Sequence, residues 1–145
     1  LASPDVISPS TYEKWAFPHE QRFFSALRSS ADHTCATLLH ICGDTTDILT
    51  LMAKTGADIL ELDHKVNLRT ARALTGREVC LMGNLDPSAI LLQGSAAAVS
   101  EKSLEAIADA GRRGHFILGS GCEVPPRTPK ENMHAMVRAA RSWRI

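Results

Sequence analysis

From residue 35 onward, short apolar runs alternate with longer stretches of helical periodicity. The runs are Cys35-Ala-Thr-Leu-Leu39, Ile59-Leu-Glu-Leu62, Val79-Cys-Leu-Met82 and Phe116-Ile-Leu118. Near-continuous apolar runs of this length read as buried strands, and they place strands near 35–41, 58–62, 78–83 and 115–119. Ahead of them, Ser8-Pro9 offers an N-cap followed by proline at the first helical position. The pattern predicts one helix from there to about Arg28, with Trp15, Phe23, Phe24 and Leu27 along its apolar stripe. Residues 1–8 are a lead segment and residues 9–145 one domain.

The helices between the strands are punctuated at both ends. Asp44, Asn67, Asp86-Pro87 and the capping box Thr128-Pro129-Lys130-Glu131 mark starts. Gly56, Gly76 and Gly111 stand where a left-handed residue would stop a helix before the next strand. Repeated strand–loop–helix units mean a parallel α/β sheet covered by helices, either doubly wound or a TIM (β/α)8 barrel. No strand is followed by a GxGxxG or GxxxxGK[ST] phosphate loop. Four βα units are half of a barrel of about 250 residues. The missing half is expected upstream of Leu1, where the chain reads like a cut inside a longer one.

Composition narrows the partners. Sixteen Lys plus Arg against sixteen Asp plus Glu leave no net charge, so the basic footprint of a nucleic-acid binder is lacking. No apolar stretch approaches the roughly 20 residues of a bilayer span, and Leu1–Ser8 lacks the form of a signal peptide. The four cysteines, at 35, 42, 80 and 122, contain no CxxC pair and suit reduced thiols in a cytoplasm.

In barrels and open α/β sheets, functional side chains collect where strands end and helices begin. His40 and Cys42, two apart at the end of the first strand, point to the same side of an extended backbone. Cys122 occupies the matching junction of the fourth strand and completes a Cys2His set, of the kind that leaves one zinc position open to substrate. The spacing alone also fits ordinary buried residues. His33-Thr-Cys35 repeats it seven residues earlier, about 23 Å away along a strand, and reads as a connector with a buried cysteine. Cys80 reads as a core residue, and His115 and His134 as packing or surface. Asp63 and Asn84 are candidates for orienting or binding a substrate, although Asp63 also fits a loop cap. Asp86 reads as an N-cap, Glu123 as a neighbour of the ligands or an exposed carboxylate, and Arg127 as solvated or as a partner for a substrate anion.

Four segments taken in order resemble the C-terminal half of the uroporphyrinogen decarboxylase superfamily. They are His40-Ile-Cys42-Gly-Asp-Thr-Thr, Gly56-Ala-Asp-Ile-Leu-Glu-Leu-Asp63, Gly83-Asn-Leu-Asp-Pro87 and Gly119-Ser-Gly-Cys122-Glu-Val-Pro-Pro-Arg-Thr-Pro129-Lys-Glu-Asn132. The resemblance implies half of a TIM barrel. It also implies either a decarboxylase or a cobalamin-dependent methyltransferase that moves a methyl group from a corrinoid protein to a thiol such as coenzyme M. The methyltransferase branch carries H-x-C and a distant Cys as zinc ligands, matched here by His40, Cys42 and Cys122. The decarboxylases use no metal and carry a His in the region of Cys122.

The resemblance thus implies zinc in the protein and methylcobalamin carried by a partner corrinoid protein, with a small thiol or related compound as acceptor. The chain would also need the missing N-terminal half-barrel, or a second copy, beside it. The alternatives are a metal-free uroporphyrinogen-type decarboxylase, which needs basic residues lacking here, and a non-catalytic half-barrel binding module.

Overall fold

The computed structural model describes residues 2–30, 35–111 and 114–143. Its elements are α1 (Pro9–Trp15), α2 (Phe17–Ser29), β1 (Leu38–Ile41), α3 (Leu49–Met52), β2 (Ile59–Leu62), α4 (Leu68–Thr75), β3 (Cys80–Leu85), α5 (Ala96–Ala110), β4 (Phe116–Ser120) and α6 (Lys130–Ser142). All four strands are parallel, in the order β1-β2-β3-β4. The register sets His40 beside Glu61, Glu61 beside Met82, and Met82 beside Ile117. A parallel sheet with helical crossovers is the α/β arrangement expected of part of a TIM barrel.

Burial alternates along β2 and β3. Leu60, Leu62, Leu81 and Leu85 are buried in one core with Ile48, Leu49 and Met52, with Ala71 of α4, and with Leu91, Val99 and Ala106. The opposite face, with Ile59, Glu61, Cys80, Met82 and Asn84, is only half-buried. Leu38 and Ile117 at its two edges are 42% and 41% exposed. Among the described residues, no helix is long and apolar enough to cross a membrane.

Several local expectations are corrected. The first helix is two. Ser8 caps α1 through a 3.1 Å bond from the Thr11 amide, but Pro18 lacks the N–H that would continue the ladder, and the chain turns at Ala16. Of the stripe, only Phe24 is well buried; Trp15 and Phe23 are 64% and 59% exposed, and Tyr12 fills the interior. β1 starts at Leu38 because the Asp58 carboxylate takes both the Thr37 amide and its hydroxyl, each at 2.8 Å. Cys35 is therefore exposed in the connector, not buried, and His33 lies outside the described residues. Gly111 has φ −105°; a glycine is needed there because a Cβ would sit 2.9 Å from the Ile107 carbonyl oxygen. Thr128 makes no capping bond: α6 starts after Pro129, and the buried Thr128 hydroxyl has no partner among the described residues. Asn67 and Asp86 do cap, through the Thr70 amide and the Ser88 and Ala89 amides. The element after Asp86, however, is a π-helical turn, Pro87–Leu92, followed separately by α5.

Candidate metal centre

β1 and β4 are the outer strands of the sheet, so three strand spacings of about 4.8 Å separate them, about 14 Å in all. Their C-terminal loops nevertheless meet. Beyond β4 the chain turns back over the sheet: the Gly121 amide donates to the Leu85 carbonyl oxygen at the end of β3, at 2.8 Å. It then lies against the end of β2 so closely that a Cβ on Gly121 would be 2.3 Å from the His64 nitrogen. The next residue is Cys122, whose Sγ arrives 3.9 Å from that of Cys42.

His40 closes the group, with Nε2 3.1 Å from the Cys42 Sγ. All three ligand atoms lie within 4.8 Å of one another, and each residue is half-buried. Its Nδ1 is 3.1 Å from the Glu61 carbonyl oxygen, and an oxygen of that kind only accepts. The imidazole thus carries its proton on Nδ1 and turns the lone pair of Nε2 toward the two sulfurs. Burial pushes the Cys42 thiol up, and the hydrogen bond to Cys122 and the charges of Cys122 and Asp63 push it further.

These dimensions fit zinc. Two Zn–S bonds of about 2.3 Å at a tetrahedral angle hold their sulfurs about 3.8 Å apart, and a Zn–N bond of about 2.1 Å puts nitrogen about 3.6 Å from sulfur. The sulfur pair is close to the first value, and the His40–Cys42 pair falls about 0.5 Å short of the second. The third pair, His40 to Cys122, lies within 4.8 Å, so the donor set is assembled close to, and not at, the bonded spacing.

Around the three residues runs a network of carboxylates. Asp63 is buried; one oxygen accepts from the Gly43 amide at 2.8 Å, and the other from the Lys65 amide at 3.0 Å. Asp63 thus holds the residue that follows Cys42. Asn84 spends its side-chain nitrogen on the Asp63 and Val66 carbonyl oxygens, at 2.9 and 2.7 Å, tying β3 to the loop after β2. His64 was not singled out by the sequence. Its Nδ1 is 3.0 Å from Asp63 Oδ1 and its Nε2 3.6 Å from Asp86 Oδ2; the adjacent Asp63-His64 pair at a strand end was the signal for it. His64, Asn84 and Asp86 border a cavity of about 420 Å³ that runs down between α4 and α5. A larger one, of about 1040 Å³, lies along α2 beside Arg22, Phe24 and Arg28 and contains none of the candidate ligands.

Asp5 was also unmarked in the sequence. Its carboxylate is 2.7 Å from Lys65 Nζ, and that contact is the main reason its carboxyl is held below the usual value. Other candidates stand apart. Glu123, Arg127, His115 and His134 are exposed. Cys80 is half-buried in β3, where burial raises its thiol. Asn132, from the last of the four sequence segments, ties α6 to the turn after β3 through the Leu91 and Gly94 carbonyl oxygens.

Comparison with known proteins adds a family. The model described as uroporphyrinogen decarboxylase (URO-D) matches residues 2–143. The chain is 35% identical over 143 residues to the methylcobamide:CoM methyltransferase MtbA of Methanosarcina mazei, covering 99% of this chain and 40% of that protein. It is 36% identical over 127 residues to the uroporphyrinogen decarboxylase of Nostoc punctiforme, covering 88% and 35%. A solved methyltransferase structure from Methanosarcina mazei superposes with a TM-score of 0.84 at 30% identity, covering 97% of this chain and 39% of that one. The chain therefore spans about 40% of the length of the curated methyltransferases it matches.

Proposed function

This chain belongs to the uroporphyrinogen decarboxylase family, and from that premise we propose that it is part of a zinc-dependent methyltransferase, moving a methyl group from a methylated corrinoid protein to a thiol or related acceptor. One observation carries the reading: His40 Nε2, Cys42 Sγ and Cys122 Sγ lie within 4.8 Å of one another at the C-terminal end of the sheet. The similarity to a methylcobamide:CoM methyltransferase over nearly the whole chain supports it.

Zinc, when bound, supplies the positive charge that keeps an entering thiol deprotonated and hence nucleophilic at neutral pH. The protein's residues do the rest. Cys42 and Cys122 would hold the ion as thiolates, and their negative charge would leave electron density on the acceptor sulfur. His40 would supply the third bond through Nε2, held in that tautomer by the Glu61 carbonyl. Asp63 fixes the Gly43 amide and through it the orientation of Cys42. Asp63 and Asn84 are also the residues we assign to contact the acceptor, Asn84 through the side-chain oxygen left over from its two loop bonds. The corrinoid would come with its carrier protein, and the other half of the mouth from the missing half-barrel or a second copy. The half-buried sheet face, with Leu38 and Ile117 exposed at its edges, supports the need for such a complement. Four cysteines without a disulfide suit a cytoplasmic location.

A second reading, a metal-free decarboxylase, has the Nostoc relative in its favour. Elemental mass spectrometry on the purified chain separates the two. About one zinc per chain, lost in Cys122→Ser, is expected of the methyltransferase. A folded chain that takes up no zinc when supplied with it under reducing conditions would overturn that reading in favour of the decarboxylase or of a non-catalytic binding module.

A further inference from the structure

The lead segment lies against the loop that carries Cys42. Ser3 is fully buried. Gly43, the residue after Cys42, has φ +95°, and a Cβ there would meet Asp5 Oδ2 at 2.5 Å and Ser3 Oγ at 2.9 Å. The segment thus packs against this loop so closely that only glycine fits at position 43.

Two different carboxylates bear on the loop at the same residue. The Gly43 amide donates to Asp63 at 2.8 Å, and the Asp5 carboxylate packs against Gly43. Both carboxylates then meet on Lys65: Asp63 accepts from its amide at 3.0 Å, and Asp5 pairs with its ammonium at 2.7 Å. We propose that Asp5 is a positioning residue for the metal centre: together with Lys65 and Asp63 it clamps the loop that places Cys42 opposite Cys122. This inference rests on the reading of that centre as a metal site.

An ordinary surface ion pair would not do this. The Lys65 and Asp5 side chains are 52% and 36% exposed, and exposed pairs contribute little on their own. The clamp derives its effect from where the carboxylate sits. It packs against Gly43, the residue after a ligand, so its loss frees the loop as well as breaking a pair. Groups that orient ligands in this way change metal affinity by about 10- to 100-fold when removed.

The test is zinc affinity, by competition with a chromophoric chelator, together with the thiolate-to-metal absorption of the cobalt(II)-loaded protein. Asp5→Ala should weaken zinc binding by about 10- to 100-fold and reduce the cobalt absorption. Asp5→Asn, which keeps the packing against Gly43 but loses the charge that faces Lys65, should fall between it and wild type. Lys65→Met opens the same clamp from its other end and serves if Asp5→Ala does not fold. Asp109→Ala removes the Arg69 pair, also 2.7 Å long, and should leave both readouts unchanged. Wild-type affinity and spectrum in Asp5→Ala and Lys65→Met would overturn the clamp while leaving the metal site standing, as would an equal loss in Asp109→Ala. A wild-type chain that takes up neither metal would overturn the metal reading, and the clamp with it.

Discussion

Gly121→Ala tests how the two outer loops are brought together. The new Cβ would lie 2.3 Å from the His64 nitrogen, 2.8 Å from its Cα and 2.9 Å from its Cβ. Two of these atoms are backbone, so no side-chain rotation relieves the clash. Ordinary contact begins at 3.4 Å, so the loop must retreat by about 1.1 Å. Metal–ligand distances tolerate only about 0.2 Å, and Cys122 is the next residue. Overpacking of this kind also costs about 1–3 kcal/mol in stability. The expected result is a folded protein with a lowered denaturation midpoint and zinc content well below that of wild type. Gly119→Ala is the matched control in β4: its Cβ would meet nothing closer than the Met82 Cε at 3.5 Å, and zinc should be retained. Full zinc occupancy with wild-type affinity in Gly121→Ala would refute the argument, because Cys122 would then be reaching the site by another path.

Asp58 gives a pH dependence. The Thr37 amide and then the Thr37 hydroxyl hold its carboxyl below the usual value against the opposing effect of burial, with Arg28 adding the smallest contribution. A lowered folded pKa means that the stabilisation is present above the unfolded value of about 3.9 and is lost as pH falls below it through the folded value. The difference in melting temperature between wild type and Asp58→Ala should therefore be largest near neutrality and shrink below about pH 4; a constant difference would count against it. Tyr12 is fully buried and donates to Glu20 at 2.5 Å across the break between α1 and α2. Tyr12→Phe should lower unfolding free energy in urea by about 1–3 kcal/mol, and no change would show that the bond is compensated.

The broad architecture was legible in the sequence because it depends on period and punctuation. Four apolar runs fall on four parallel strands, and Asn67 and Asp86 cap where their short polar side chains suggested. His40, Cys42 and Cys122 stood out because strand ends collect chemistry and residues two apart share a side, but that spacing also fits ordinary buried residues, and it was the resemblance to the family that favoured ligands. What was not legible depended on single long-range contacts. The start of β1 is set by Asp58, twenty-one positions from Thr37, and no local pattern encodes that. Pro18 did signal the break between α1 and α2, but the apolar stripe around it points to one continuous helix. Asp5 and His64 gain their roles from loops that fold over the end of the sheet, and a loop path of that kind leaves no periodic trace.

The bond from the His40 ring to residue 61 runs to a carbonyl oxygen and not to the glutamate side chain. No substitution can delete a main-chain carbonyl, so the orientation of this imidazole is shielded from point mutation at its partner position. The side chain at 61 is therefore not what sets the ring's orientation. It projects from the half-buried face below the centre, 3.6 Å from the same ring at Oε2, where a change of charge would alter the field at the site without disturbing its geometry. On the proposed function, acceptor preference would change through residue 61 without first dismantling the donor set, and a saturation library there is a direct way to search for altered reactivity.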